Sequence, residues 1–227
     1  MPSDTKRQIL DAAETLFAAK GIDAVSLRAV TSGAGANLAS VHYHFGSKEA
    51  LVEAVFERRI GPLNRERIRL LDECERRAGD GPLAAEDVLR ALIDPALRLS
   101  QEAERGETFM RICGRFFTET SAYLEPIFDR LFREVIERFT AAFHRAVPEL
   151  SRADLLWRIH FVVGAMVHTM CDSQRLRHIS GGLCDPGNVE EAVDRMVAFT
   201  AAGLSAPAAG PSGKSPPPAG KTGGASS

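Results

Sequence analysis

The chain has 227 residues, 44% hydrophobic and 26% charged, with a net charge of −2. That length fits one compact helical domain, or a small domain fused to a larger one, with an ample apolar core. The balance of charge excludes recognition of a polyanion by bulk positive potential, although a few placed groups and helix N-termini can still meet phosphates.

The four cysteines, Cys74, Cys113, Cys171 and Cys184, form no close pair of the kind that holds zinc or does thiol redox chemistry. They read as reduced thiols, some buried as small hydrophobes. Residues 1–7 lead into an amphipathic helix without the apolar core of a signal peptide, and the cleanest apolar run, Phe161 to Val167, is too short to span a bilayer. The expected location is the cytoplasm, with no membrane partner.

Residues 4–20 read as the first helix, because Ile9, Leu10, Ala13, Leu16 and Phe17 recur along one stripe. Lys20 and Gly21 close it, a cation near the negative end and a glycine able to turn the chain. Residues 26–51, SLRAVTSGAGANLASVHYHFGSKEAL, then read as two short helices meeting at a sharp corner and feeding a third. Leu27 and Val30 give the first an inner side and Arg28 an outer one. Gly33 to Ala36 supply the corner, where glycine takes positive φ without a Cβ clash. Asn37 is a candidate N-cap for the next helix, which holds Leu38 and Val41 inward and leaves Ser40, His42, Tyr43 and His44 on or near the exposed side. Ser47 can cap the helix that follows, with Lys48 and Glu49 in its first turn. A short helix showing hydroxyl, imidazole and phenol groups, held by a stiff corner, suits the DNA major groove.

The run from Ile9 to Leu51 resembles the DNA-binding domain of the TetR/AcrR transcriptional regulators. Ile9-Leu10-Asp11-Ala12-Ala13, Leu16-Phe17, Lys20-Gly21, Ser26-Leu27-Arg28, Ala34-Gly35 and Tyr43-His44-Phe45-Gly46-Ser47-Lys48-Glu49-Ala50-Leu51 fall in that family's order and spacing. His42 departs from it, standing where most members carry a tyrosine that touches phosphate. Gly33 also weakens its helix, by roughly 1 kcal/mol relative to alanine. Residues 39–48, with Ala54-Val55-Phe56 and Gly61-Pro62-Leu63-Asn64, resemble a branch that includes fatty-acid-responsive repressors. The resemblance implies DNA contact through Ser26, Arg28, Asn37, Ser40, His42, Tyr43, His44 and Lys48. Asn37, Ser40 and His42 are the candidates for base edges or backbone, Tyr43 and Lys48 for phosphate, and Arg28 for either. Lys6 and Arg7 are further candidates at the start of the first helix.

The fourth helix is expected from Ser47 to about Arg77, with Leu51, Val52, Val55 and Phe56 as its apolar face and a kink or break at Gly61-Pro62. As the only covalent link between head and body, it is the expected lever of a switch. Residues 78–82 mark a turn-rich boundary. Helices follow over 84–101, kinked at Asp94-Pro95, over 105–120 and over 123–146, where Pro148 ends the run. Ser151 and Asp154 make a capping-box-like start to a helix over 151–172 that is apolar on two sides, with Gly164 and Ala165 permitting close helix approach. Residues 173–187 read as a polar, glycine-rich loop, and 188–203 as the final helix. The helices over 151–172 and 188–203 are the expected homodimer face, pairing into a four-helix interface. Residues 205–227 lack large apolar side chains and read as a disordered tail, with Lys214 and Lys221 as weak grounds for a DNA-scanning arm.

The phenylalanines at 109, 116, 117, 128, 132, 139 and 143 supply core, and their excess suggests an apolar cavity. By resemblance this half holds a small-molecule pocket, for which Phe109, Arg111, Arg115, Phe116, Phe128, His160 and His168 are the candidates. Arg111 and Arg115 lie one turn apart and suit either a ligand's carboxylate or phosphate or surface ion pairs. His144, His160 and His168 match no HExxH or cysteine–histidine pattern and read as core or pocket histidines, with His160 and His168 able to orient a ligand's polar end.

The expected protein is therefore all-α. An N-terminal three-helix, helix-turn-helix DNA-binding domain occupies 1–50, with the motif at about 26–45, and a helical ligand-binding and dimerisation domain occupies 51–204. It is expected to bind near-palindromic double-stranded operator DNA as a homodimer. The expected output is repression, released by a small apolar effector such as a fatty acid or acyl-coenzyme A thioester. No metal, cofactor or catalytic residue is expected. An all-α enzyme or a helical scaffold with an apolar pocket is the alternative.

Overall fold

The computed structural model describes residues 2–102, 106, 108–110, 112, 113, 124–171 and 173–207. Within them lie α1 (Pro2–Lys20), α2 (Leu27–Ala34), α3 (Leu38–His44), α4 (Lys48–Ala78), α5 (Ala85–Ser100), α6 (Leu124–Ala146), α7 (Arg152–Cys171), α8 (Ser173–Ile179) and α9 (Val189–Ser205), and no strand among the described residues.

The boundaries of the first helices follow from caps. Ser26 Oγ accepts from the Ala29 amide at 3.2 Å, Asn37 Oδ1 from the Ser40 amide at 2.8 Å, and Ser47 Oγ from the Ala50 amide at 3.2 Å. Each satisfies a donor that a helix start leaves free. Gly35 ends α2 at φ +60°, a conformation an L side chain rarely takes. Ser151 accepts from the Asp154 amide at 3.1 Å and starts α7 as expected.

Two expectations change. Gly61-Pro62 does not break α4, which runs helical through both residues. A proline inside a helix costs about 3 kcal/mol, but Phe56, Ile60, Arg67 and Leu71 on either side of it are all buried, so tertiary packing holds the segment helical. α5 holds Pro95 inside its span, as expected. The expected loop over 173–187 begins as the short helix α8 before turning at Gly181 and Gly182. Of the expected helix over 105–120, residues 106, 108–110, 112 and 113 are helical, and the rest of it and most of the tail lie outside the described residues.

Two apolar cores stack along α4. One gathers Ile9, Phe17, Val30, Val41, Leu51 and Val55 from the first four helices, and extends to Leu99, Phe109, Ile112, Leu124 and Ile127. The other joins Leu71 to Leu89, Ile93, Phe139, Phe143, Leu155 and Val197. Leu63 and Met170 pack against both. α4 is also tied to α1 by ion pairs: Arg58 to Asp11 at 2.6 Å, and Arg59 to the buried Glu14 at 2.9 Å. Arg130 of α6 grips Glu53 on the same helix at 2.7 Å. Any tilt of α4 therefore carries the N-terminal helices with it. Among the described residues no helix is long and apolar enough to cross a membrane.

Candidate functional site

The first candidate surface is α2, α3 and the start of α4. Val30 and Val41 are buried beneath it, which fixes the rotation of both short helices. Tyr43 is 82% exposed, and Ser26, Arg28, Asn37 and His42 are exposed as well. Ser40, His44 and Lys48 are half-buried.

Several of these side chains also hold the surface together. The Ser40 hydroxyl donates to Asn37 Oδ1 at 3.0 Å, beside the backbone cap bond. His42 Nδ1 lies 2.9 Å from the Gly46 carbonyl. A carbonyl only accepts, so the ring proton sits on Nδ1 and leaves Nε2 for an outside partner. Lys48 Nζ donates to the Asp23 carbonyl at 3.1 Å, pinning the start of α4 to the α1–α2 turn with two ammonium protons left over. Tyr43 and His44 meet edge to face at 5.0 Å, and Lys6 lies 5.8 Å from the centre of the Phe45 ring. The outcome is a stiff, nearly neutral plate.

The second candidate is a cavity of about 290 Å³ at the junction of the two cores, almost wholly apolar in its lining. α4 supplies Phe56, Ile60, Leu63 and Arg67 to its wall, and α7 supplies Val163, Met166 and Met170. Phe109 and Phe128 line it as expected, joined by Phe132 and Phe139. His160 is part of the lining, and because it and Ile136 are exposed the cavity reaches the surface there. His168 does not line it. Eight residues beyond His160 is a rotation of roughly 80° on a helix with 3.6 residues per turn, and His168 points to solvent instead. His144 is exposed too, so neither is a core histidine. Phe143 is fully buried in the second core rather than in the cavity wall. Arg111, Arg115, Phe116 and Phe117 lie outside the described residues.

The cavity-lining residue that sequence reasoning missed is Arg67. It is 3% exposed. Nε donates to the Leu92 carbonyl at 2.9 Å, Nη1 to Asn64 Oδ1 at 3.4 Å, and Nη2 contacts Met166 Sδ at 3.5 Å. Among the described residues no carboxylate pairs with it, and burial pushes its guanidinium down to about 10. The signal was present: Phe56, Ile60, Leu63, Arg67, Leu71 and Cys74 recur at helical spacing, so the arginine occupies an inward register. It is legible only if α4 is continuous through Pro62.

The third feature is an apolar face on α7 and α9. Trp157 and Phe161 are 62% and 63% exposed and their rings stack 5.8 Å apart, while Phe199 of α9 is 74% exposed. Gly164 and Gly203 each front open space. Among the described residues no group of histidine, cysteine and carboxylate side chains is placed to hold a metal ion.

Residues 9–55 match the family model described as bacterial regulatory proteins, tetR family. Residues 90–203 match that of the tetracyclin repressor-like C-terminal domain. A 53-residue stretch is 38% identical to the HTH-type transcriptional repressor KstR2 of Rhodococcus jostii (strain RHA1), covering 23% of this chain and 26% of that protein. The chain thus spans about a quarter of this curated relative. Among solved structures, the SmeT–triclosan complex has a TM-score of 0.60 at 24% identity, over 86% of this chain and 90% of that one. FadR from Bacillus subtilis in complex with stearoyl-CoA has a TM-score of 0.61 at 12% identity, over 87% and 98%. At these identities the likeness shows the fold.

Proposed function

The chain belongs to the TetR family of bacterial regulatory proteins, and on that premise we propose that it is a homodimeric, sequence-specific DNA-binding repressor released by a small apolar effector. The observation that carries the proposal is the path of α4. Its first turn is bonded to the α1–α2 turn through Lys48, it is ion-paired to α1, and ten to twenty residues on it forms a wall of the cavity. An occupant that fits one tilt of α4 better than another shifts the position of α3, by no more than its differential affinity for the two states.

In this reading residues 1–50 carry the reading surface. Ser26, Asn37 and Ser47 keep the helices in place, while Arg28, Tyr43, His44, Lys48 and the free side of His42 meet the DNA. The stacked Trp157–Phe161 pair and Phe199 cover their counterparts in a second copy, because a face of that kind is unusual on a monomer. Two reading helices set about 34–36 Å apart, or a multiple of it, then match successive major grooves of a near-palindrome. For the effector we propose a fatty acid or acyl thioester. The apolar wall supports a chain-like ligand, and FadR of Bacillus subtilis is a similar fold described with stearoyl-CoA. Selection of bound sites from random duplex DNA tests the reading: enrichment of a site with two inverted halves is expected, and failure to enrich any sequence would refute it.

A further inference from the structure

The cavity contains a charged group that its apolar wall does not explain. Arg67 projects from the middle of α4 into a lining of phenylalanine, leucine and methionine. Of its five N–H donors, one makes a short bond to the Leu92 carbonyl, and two reach only a distant amide oxygen and a thioether. Two more make no bond among the described residues. A guanidinium at 3% exposure that faces no carboxylate among the described residues is a costly thing to keep in an apolar interior, unless an anion arrives to meet it.

We propose that Arg67 is the anion anchor of the effector site, so that the effector is a free carboxylic acid with an apolar chain, its head bound deep against Arg67 and its tail running toward the opening at Ile136 and His160. This rests on the effector reading above and narrows it: a thioester or ester presents no negative oxygen pair to the planar fork, whereas a carboxylate accepts two parallel N–H bonds. The anchor also couples binding to output. Arg67 lies on the helix whose first turn is pinned beside α3, so an anion that draws its guanidinium away from Leu92 and Met166 acts on α4 directly. By reciprocity, whatever the acid does to operator affinity the operator does to acid affinity.

Calorimetric titration of the full chain with decanoate, methyl decanoate and 1-decanol tests this, with Arg67→Met and Arg67→Lys alongside. The wild type should bind decanoate at least about tenfold tighter than either neutral probe. Arg67→Met should abolish the preference while still binding 1-decanol, and Arg67→Lys should keep part of it. Equal affinity of the wild type for the acid and the alcohol, or an acid preference that survives in Arg67→Met, would overturn the anchor and leave the effector site standing. Binding of none of the three would overturn the effector site and the anchor with it. If Arg67→Met does not fold, the wild-type ratio alone decides.

Discussion

Replacing Arg67 with methionine should stabilise the ligand-free protein. Burial pushes the guanidinium down to about 10, well below its ordinary value, which is roughly 3 kcal/mol by which the folded interior disfavours the charged form. Two losses offset the gain. The bond to the Leu92 carbonyl contributes about 1 kcal/mol, and the smaller side chain leaves a void costing about 1 kcal/mol more. The net is about 1 kcal/mol in favour of the variant, or a rise in Tm of about 2–4 °C for a chain of this size. The comparison is made by differential scanning calorimetry at equal protomer concentration, since dimerisation also shifts Tm. The sign with pH follows from linkage. The unfolded chain holds the arginine proton more tightly than the folded one, so wild-type stability gains as pH rises above about 10 toward the ordinary arginine range. The advantage of the variant is therefore complete at neutral pH and shrinks above pH 10. A fall in Tm for Arg67→Met at neutral pH would show that the guanidinium is a structural brace, and the reasoning would fail.

Asn37→Ala removes the acceptor that caps α3, and should lower stability by about 1 kcal/mol and weaken operator binding in a mobility-shift assay; unchanged operator affinity would mean that α3 needs no cap to read DNA. Lys48→Ala should flatten the salt dependence of operator binding by about one unit of slope, and an unchanged slope in a salt titration would reduce Lys48 to its bond with the Asp23 carbonyl. Trp157→Glu places a charge in the stacked pair on α7 and should give monomers in sedimentation velocity, with loss of operator affinity; a dimer of unchanged strength would move the interface elsewhere.

The N-terminal third was legible in most of its residues because its determinants are local, although Leu38, expected inward beside Val41, is exposed. Ser26, Asn37 and Ser47 each act on an amide three residues ahead, and Gly35 acts on its own backbone, so no distant part of the chain is needed to place α2, α3 and the start of α4. The alternation of apolar and polar positions over 4–20 and 124–146 is local in the same sense, and the helices there differ from expectation only at their ends. The resemblance carried by Ile9 to Leu51 rests on these same short-range patterns.

The cavity was not legible in this way. Its wall is drawn from positions 56 to 170, and whether a phenylalanine joins the wall, as Phe128 does, or the solid core, as Phe143 does, depends on how four helices are rotated about one another. The same rotation carries His160 to the opening and turns His168 to solvent. The continuity of α4 through Pro62 is likewise decided by burial on both sides of it, which outweighs the local preference to break. Sequence by itself determined the helices, their caps and the family of the reading head, since those follow from neighbours three and four residues apart. Only the tertiary structure decided that Arg67 lies buried with no carboxylate against it among the described residues, because a side chain's charge is written in the sequence but its partners are supplied by segments far along the chain.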